Sequence, residues 1–453
     1  MQLPEEFIRN TKQIMGDARF DRFMGAFDEE APTSIRINPR KLGTPHRGMA
    51  HRGTVPRVSS EADYTGTVPS VQPTSVQPPL VQVPWCPEGY YLSDRPQFTF
   101  DPLFHAGCYY VQEASSMFVT HVLRTLADSS LFLRPFGSKR PKVERTLHSS
   151  LSALDMCAAP GGKSTALRTV LPESCTLVSN EPIANRAQIL LENITKWGYP
   201  NCIVTNSYPR DFRKSKARFD LILCDVPCSG EGMFRKDPAT ISEWSPQNVE
   251  KCWRLQREIV TDAWECLNPG GLFIYSTCTF NIKENEENIR WILENFEAEA
   301  LDIPVDPSWN ITGSLLDGFT APVYRFIPGI TRGEGLFLCA LRKREGTMGG
   351  TMGTVPRVRS VANYTGTVPS VLPQGDFPIS DVSYVNALKY LRGEALVLPP
   401  DTPRGMVNIT YKGHILGPAK NIGNRANNLY PKPWRIKTTH LPSEAPKVLL
   451  NDE

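Results

Sequence analysis

Apolar positions recur along the chain with two different periods, and the switches between them outline an architecture. Near the N-terminus, helical spacing in PEEFIRNTKQIMG and ARFDRFMGAF gives way to a short strand-like run, SIRINP. This predicts a small α/β subdomain over residues 1–44. Further on, apolar runs of strand length alternate with amphipathic stretches of helical length. Strands are expected at Ser152–Met156, Thr176–Ser179, Cys202–Thr205, Phe219–Cys224 and Leu272–Ser276. Helices are expected at Lys163–Leu171, Ala184–Trp197 and Val249–Leu267. Strand and helix in alternation imply a parallel sheet with right-handed crossovers, so the expected fold class is α/β, doubly wound and Rossmann-like, over residues 85–345. Residues 376–453 are short-stranded and turn-rich, which predicts a small β-containing C-terminal domain.

Three stretches break this rhythm. Residues 45–84 are dominated by Gly, Thr, Val, Pro and Ser, and such a stretch buries too little apolar area to offset its ordering entropy. GTVPRVSSEADYTGTVPSV, starting at Gly53, returns as GTVPRVRSVANYTGTVPSV at Gly353 with three differences. Solenoid repeats must be adjacent to stack, so copies this far apart read as duplicated insertions, the second forming a linker over residues 346–375. A further surface insert is expected at about residues 126–147.

Composition adds bounds. The chain has 453 residues, with 40% hydrophobic and 21% charged, and 40 prolines concentrated where the pattern is irregular. Net charge is +3, so any nucleic-acid contact must come from a local basic face. The N-terminus lacks the apolar core of a secretory signal and no run approaches the length of a membrane span, so the expectation is a cytoplasmic protein with no membrane partner. The 11 cysteines then read as reduced thiols. No CxxC pair exists, so no metal site is expected. Nothing suggests a coiled coil, and a monomer is expected.

The chemistry-bearing residues collect at strand ends. The first core strand ends in Asp155 and runs into Cys157-Ala158-Ala159-Pro160-Gly161-Gly162-Lys163. A strand, glycine turn and helix place backbone N–H groups at the carboxyl edge of the sheet, where doubly wound folds bind nucleotides. The turn is neither a Walker A loop nor a GxGxxG fingerprint. Glu181 ends the second strand, where a carboxylate can hold a ribose diol. Arg186, one helical turn on, reads first as its salt-bridge partner. The fourth strand ends in Asp225-Val-Pro-Cys228 and the fifth in Tyr275-Ser-Thr-Cys278, so two thiols are expected to face one cleft. A thiolate is the usual nucleophile for splitting a hard step into two easier ones.

DMCAAPGGKS, DVPCSGEGMFRKDP and YSTCTFNIKENEENI resemble the signature motifs of RNA (cytosine-5)-methyltransferases of the Sun family, particularly its bacterial RsmF/YebU-type branch acting on 16S rRNA. The resemblance covers roughly residues 85–345 and, more weakly, both ends. It implies S-adenosyl-L-methionine as cofactor, held by Cys157–Lys163, with Glu181 on the ribose and Arg186 nearby. Asn206, after the third strand, stands where many relatives have an acidic residue meeting the adenosine. It implies Cys278 as the nucleophile that attacks cytosine C6, and Cys228 as the thiol that helps release product. Asp225 would contact the base and Lys163 would lie near the reacting groups.

From Thr402 to Ser443 there is no Asp or Glu, and basic residues alternate with aromatics. The segment GPAKNIGNRANNLYPKPWRI resembles a PUA-like tail. Lys420, Arg425, Lys432 and Arg435 are therefore expected to contact RNA phosphates, with Tyr430 and Trp434 stacking on bases. The implied partner is ribosomal RNA or the small ribosomal subunit. Two other classes remain open: a noncatalytic RNA-binding assembly factor, against which both intact thiols argue, and a DNA cytosine methylase, against which the Thr-Cys motif and the tail argue.

Overall fold

The computed structural model describes residues 3–42, 80–128, 151–344, 376–438 and 440–449. Both copies of the duplicated sequence and nearly all of the 126–147 insert lie outside them.

Helices α1 (Glu5–Met15) and α2 (Asp17–Gly25) bury Phe7, Met15, Phe20 and Phe23. These side chains share one apolar cluster with Phe234, Trp244 and Phe280, so the N-terminal helices form the back wall of the loops that follow the cysteine-bearing strands. Strand β1 (Ser34–Ile37) and helix α3 (Pro39–Leu42) come next, and β2 (Val81–Gln82), β3 (Gly89–Tyr91), helix α4 (Pro102–His105) and β4 (Tyr109–Val111) follow. The four strands make an antiparallel sheet in the order β2-β3-β1-β4. The expected boundary at residue 85 therefore falls inside a sheet, and residues 80–84, expected in the insertion, carry β2 and the fully buried Val83. Helix α5 (Phe118–Asp128) likewise continues past residue 126, because Leu126 still packs into the core.

The central layer runs β5 (Ser152–Asp155), α6 (Gly162–Val170), β6 (Thr176–Asn180), α7 (Ala184–Trp197), β7 (Cys202–Thr205), α8 (Pro209–Lys214), β8 (Phe219–Asp225), α9 (Ala239–Glu243), α10 (Pro246–Glu265) and β9 (Leu267–Thr277). Strands β5 to β9 are parallel. Their apolar runs are buried on both faces, as a parallel sheet covered by helices requires. Helix α10 starts where Ser245 caps the Asn248 N–H and Pro246 opens the first turn, a pairing that suits a helix N-terminus. Next come α11 (Glu286–Asn295), β10 (Ala298–Ala300), β11 (Tyr324–Phe326) and β12 (Leu336–Lys343). The sheet order is β10-β12-β9-β8-β5-β6-β7, with β11 also on β12. Strand β12 runs antiparallel to β9. The chain reverses its direction of growth between β5 and β8, so the crevice for a ligand opens above their carboxyl ends.

The C-terminal unit contains β13 (Ile379–Asp381), α12 (Tyr384–Arg392), β14 (Gly405–Tyr411), β15 (His414–Asn421) and β16 (Ala426–Asn428), in sheet order β13-β14-β15-β16. Lys412 (φ 50°) and Gly413 (φ 75°) turn β14 into β15, the left-handed pair that a two-residue hairpin needs. Leu388, Leu391, Val407 and Leu416 continue into the same apolar cluster as Ile35, Ile37, Leu103 and Tyr109. The C-terminal unit is thereby docked on the N-terminal sheet, and the Tyr384 hydroxyl donates to the Phe100 carbonyl at 3.1 Å.

Candidate active site

Two thiols meet above the β8–β9 edge. Cys228 and Cys278 each lie just beyond a parallel strand, and their sulfurs are 3.1 Å apart. That is well beyond a disulfide bond length of about 2.05 Å, and both are free cysteines. The Cys228 thiol is pushed well above its ordinary range, first by its hydrogen bond to Cys278 and then by burial. Cys228 is thereby held toward its protonated form, with its sulfur in hydrogen-bond contact with that of Cys278.

A half-buried ion pair stands beside them. Lys163 Nζ donates to Asp225 Oδ2 at 2.8 Å, and Ser276 Oγ donates to Asp225 Oδ1 at 2.7 Å. Burial works against the Lys163 ammonium, but Asp225 outweighs it and the net displacement is upward. Lys163 thus stays an ammonium facing the Asp225 side chain. Asp155, at the end of the adjacent strand, accepts from Ser164 Oγ at 2.6 Å, and burial pushes its carboxyl up to about 7, with Asp225 adding to the rise.

The turn from Cys157 to Lys163 leads into α6 through Gly161 at φ 115°, a left-handed value that favours glycine. Burial raises the Cys157 thiol well above its ordinary range. The Ala158 N–H donates to the Asn180 carbonyl at 2.8 Å, fixing the turn against β6. Arg36, fully buried, braces α6 from beneath: its guanidinium donates to Thr169 Oγ1 at 3.1 Å and Gln112 Oε1 at 2.7 Å and lies over the Trp197 ring. Glu181 is buried at the end of β6 and accepts from the Ile183 N–H at 3.0 Å. Arg186 bridges it to the turn, 3.5 Å from Glu181 and donating to the Ala159 carbonyl at 3.1 Å. Asn206 donates from Nδ2 to the Glu181 carbonyl at 2.7 Å. Asp225, Lys163, Glu181, Asn206 and both thiols are thereby gathered at the carboxyl edge of one sheet.

The C-terminal candidates divide. Lys420, Arg425 and Lys432 are exposed. Tyr430 and Trp434, expected to stack on bases, are only 2% and 7% exposed. They pack on one another and on Tyr390, and the Tyr430 hydroxyl reaches His105 Nδ1 at 3.5 Å. These rings hold the C-terminal unit onto α4 and α7, so their faces are not available to RNA. Arg435 is partly buried and donates to the Tyr430 carbonyl, which makes it part of the same joint.

Pattern reading missed the polar frame behind the thiols: Ser276 on Asp225, and Ser229, Glu231, Gln256, Thr279, Asn281 and Glu284 around the two loops. The available signal was an acidic residue three positions after Cys228 and another six after Cys278, in segments whose apolar neighbours must be buried. Arg325 and Glu286, 1% and 0% exposed by side chain, were also missed. Arg325 Nε donates to Glu286 Oε1 at 2.7 Å and its Nη1 to the Phe280 carbonyl at 2.8 Å, anchoring the segment after Cys278.

Residues 146–342 match the family model described as 16S rRNA methyltransferase RsmB/F, residues 378–436 match the RsmF PUA domain, and residues 64–114 match the RsmF N-terminal domain. The ribosomal RNA small subunit methyltransferase F of Salmonella agona is 30% identical over 404 residues, spanning 87% of this chain and 73% of that protein. The chain belongs to the RsmB/F family of 16S rRNA methyltransferases. Members of this family are S-adenosyl-L-methionine-dependent enzymes, and the C-terminal unit is a PUA domain. The Pectobacterium carotovorum enzyme of the same name is 34% identical over 75% of this chain, and the chain spans 63% of its length. Among solved structures, a methyltransferase homolog from Pyrococcus horikoshii shares the fold, with TM-score 0.53 and 24% identity over 75% of this chain and 95% of that one. NSun6 from the same organism shares it with TM-score 0.52 and 19% identity over 76% of this chain and 98% of that one. Among the described residues no helix is long and apolar enough to cross a membrane.

Proposed function

We propose that this protein methylates C5 of cytosine in small-subunit ribosomal RNA through a covalent bond between Cys278 and C6 of the base. The observation that carries the reading is the thiol pair at 3.1 Å beside the Lys163–Asp225 ion pair. Pyrimidine C5 is an unreactive carbon until a nucleophile adds at C6. A thiolate poised by a second thiol, next to a fixed carboxylate and ammonium, suits that addition.

The residues at the crevice fit S-adenosyl-L-methionine. A glycine turn at a helix N-terminus, a buried carboxylate at the next strand end and an amide at the third make a donor and acceptor set for an adenosine with its ribose diol. Cys157, Ala158, Ala159, Pro160, Gly161 and Gly162 would hold the amino-acid side, Glu181 the ribose and Asn206 the adenosine, with Arg186 keeping Glu181 in place. When bound, the cofactor supplies an electrophilic methyl group on a sulfonium.

The chain's own residues do the rest. The Cys278 thiolate adds to C6, and the ring's electrons shift so that C5 becomes nucleophilic. Asp225 accepts from the exocyclic amine and Lys163 keeps that carboxylate oriented. After C5 is substituted, its proton leaves to Asp225, and the Cys278–C6 bond breaks by β-elimination while the Cys228 thiol hydrogen-bonds to the departing Cys278 sulfur. Because the target base must be unstacked to reach the thiol, the exposed Lys420, Arg425 and Lys432 are assigned to phosphate contacts. The test is to incubate the full chain with methyl-labelled S-adenosyl-L-methionine and unmodified small-subunit RNA or subunits, then digest to nucleosides. Label in 5-methylcytidine supports the reading; cofactor and RNA binding without label in any nucleoside refutes it.

A further inference from the structure

We infer that Glu231 and Glu284 are positioning residues of the two-thiol centre, each carboxylate sitting in one cysteine's loop and gripping the loop of the other. The inference rests on the two-thiol reading above and assigns what sets the thiol spacing. Glu284 lies six residues past Cys278 yet reaches the Cys228 loop. Its Oε2 accepts from the Ser229 N–H at 3.0 Å and from Gln256 Nε2 at 2.7 Å. Gln256 also donates to the Pro227 carbonyl at 2.8 Å, so both residues flanking Cys228 are held through one carboxylate. Glu231 lies three residues past Cys228 and reaches the other way. Its Oε2 accepts from the N–H groups of Phe280 and Asn281 at 2.7 and 3.0 Å, and its Oε1 from Trp244 Nε1 at 3.0 Å.

Asn281 joins the two halves, donating to Glu284 Oε1 at 2.8 Å and Glu231 Oε1 at 3.1 Å. Next to the sulfurs, Ser229 Oγ and Thr279 Oγ1 meet at 2.8 Å. The loops also touch through backbone: the Gly232 N–H donates to the Cys278 carbonyl at 2.8 Å. A Cβ on Gly232 would stand 2.8 Å from that carbonyl oxygen, so the approach requires glycine. Glu231 and Glu284 are 2% and 0% exposed. Burying two carboxylates is costly unless their acceptor sites are filled, and here donors from both loops fill them. Such a satisfied buried network fixes one geometry. Burial, with Glu231 adding, pushes the Glu284 carboxyl up to about 7, in keeping with two acidic groups sharing one set of donors.

The test uses the full chain and phenylarsine oxide, which condenses with two thiols: two S–As bonds form and the oxide oxygen leaves as water with both thiol protons. Peptide mapping reads the rate at which Cys228 and Cys278 are bridged. Wild type is expected to bridge, and Cys228→Ala to give no bridged peptide. Glu284→Ala is expected to slow bridging by about tenfold or more, and Glu231→Gln and Glu284→Gln by less, because an amide keeps one acceptor oxygen. Affinity for S-adenosyl-L-methionine stays at the wild-type value, and kcat for methyl transfer falls while KM for RNA does not rise. Folded Glu284→Gln and Glu284→Ala variants that bridge at the wild-type rate overturn the inference, as does unchanged kcat in both. The arsenical readout needs no RNA, so it decides the positioning claim even where wild type transfers no methyl group.

Discussion

Asp155 provides a quantitative test of the crevice's electrostatics. Its carboxyl is fully buried at the end of β5, and its folded-state pKa is about 7 against an ordinary 3.8. A folded pKa above the unfolded one means the native state binds the proton more tightly. The associated stability is present below about pH 4 and is lost as pH rises through about 7. At about 1.36 kcal/mol per pKa unit, the gap amounts to as much as about 4 kcal/mol between those limits. Asp155→Asn preserves shape and the acceptor for Ser164 Oγ but cannot ionise. Guanidinium unfolding of both proteins at pH 5 and pH 8 should therefore show the variant gaining on wild type by about 2–3 kcal/mol at the higher pH, because part of the loss is already complete at pH 5. Parallel pH profiles, with the same difference at both values, would refute the reasoning. Glu284 and Glu334, each also pushed up to about 7 chiefly by burial, give the wild-type curve the same slope and do not change the difference.

Other expectations follow from the packing. Glu286→Ala leaves the Arg325 guanidinium buried without its carboxylate and should cost about 3–5 kcal/mol, read by denaturant midpoint. Trp434→Ala should lower stability by about 3–5 kcal/mol through the lost joint with α4 and α7. In contrast, the double variant Lys420→Ala, Arg425→Ala should leave melting unchanged, weaken RNA binding and reduce the slope of log affinity against log salt by about 1–2, read by filter binding. Deleting residues 53–71 should leave methyl transfer within about twofold, since loops tolerate changes of length; a folded but inactive deletion would make that segment functional.

The central sheet is legible because its strands come from successive βα units, and burial on both faces writes each as a continuous apolar run. Cys202–Thr205 and Ala184–Trp197 begin and end where the pattern places them. The N-terminal sheet was not legible, since β1 pairs with strands that follow a long insertion and no local period announces such a pairing. Strands β10 and β12 escape for the same reason, since β10 pairs with β12 and β12 with β9 across long stretches of chain, and β11, although a near neighbour of β12, is only three residues long in a stretch that breaks the βα alternation. In the site, strand-end position brought Asp225, Cys228 and Cys278 together on paper, because carboxyl ends of parallel strands share one edge. Glu231 and Glu284 escaped because an acidic residue in a turn looks solvated until the opposing loop is seen to fill its oxygens. Tyr430 and Trp434 were misassigned for the converse reason. Beside lysines and arginines an aromatic ring looks like a stacking platform, and only the docked α4 and α7 reveal what covers it.

The most direct measurement is to mix Cys278→Ala, Cys228→Ala and wild-type protein separately with small-subunit RNA and S-adenosyl-L-methionine, then look for a denaturation-resistant protein–RNA complex by gel. The account predicts a persistent methylated adduct in Cys228→Ala, through Cys278, and none in Cys278→Ala, which should also lose transfer. Loss of activity in both variants with no adduct in either would contradict it.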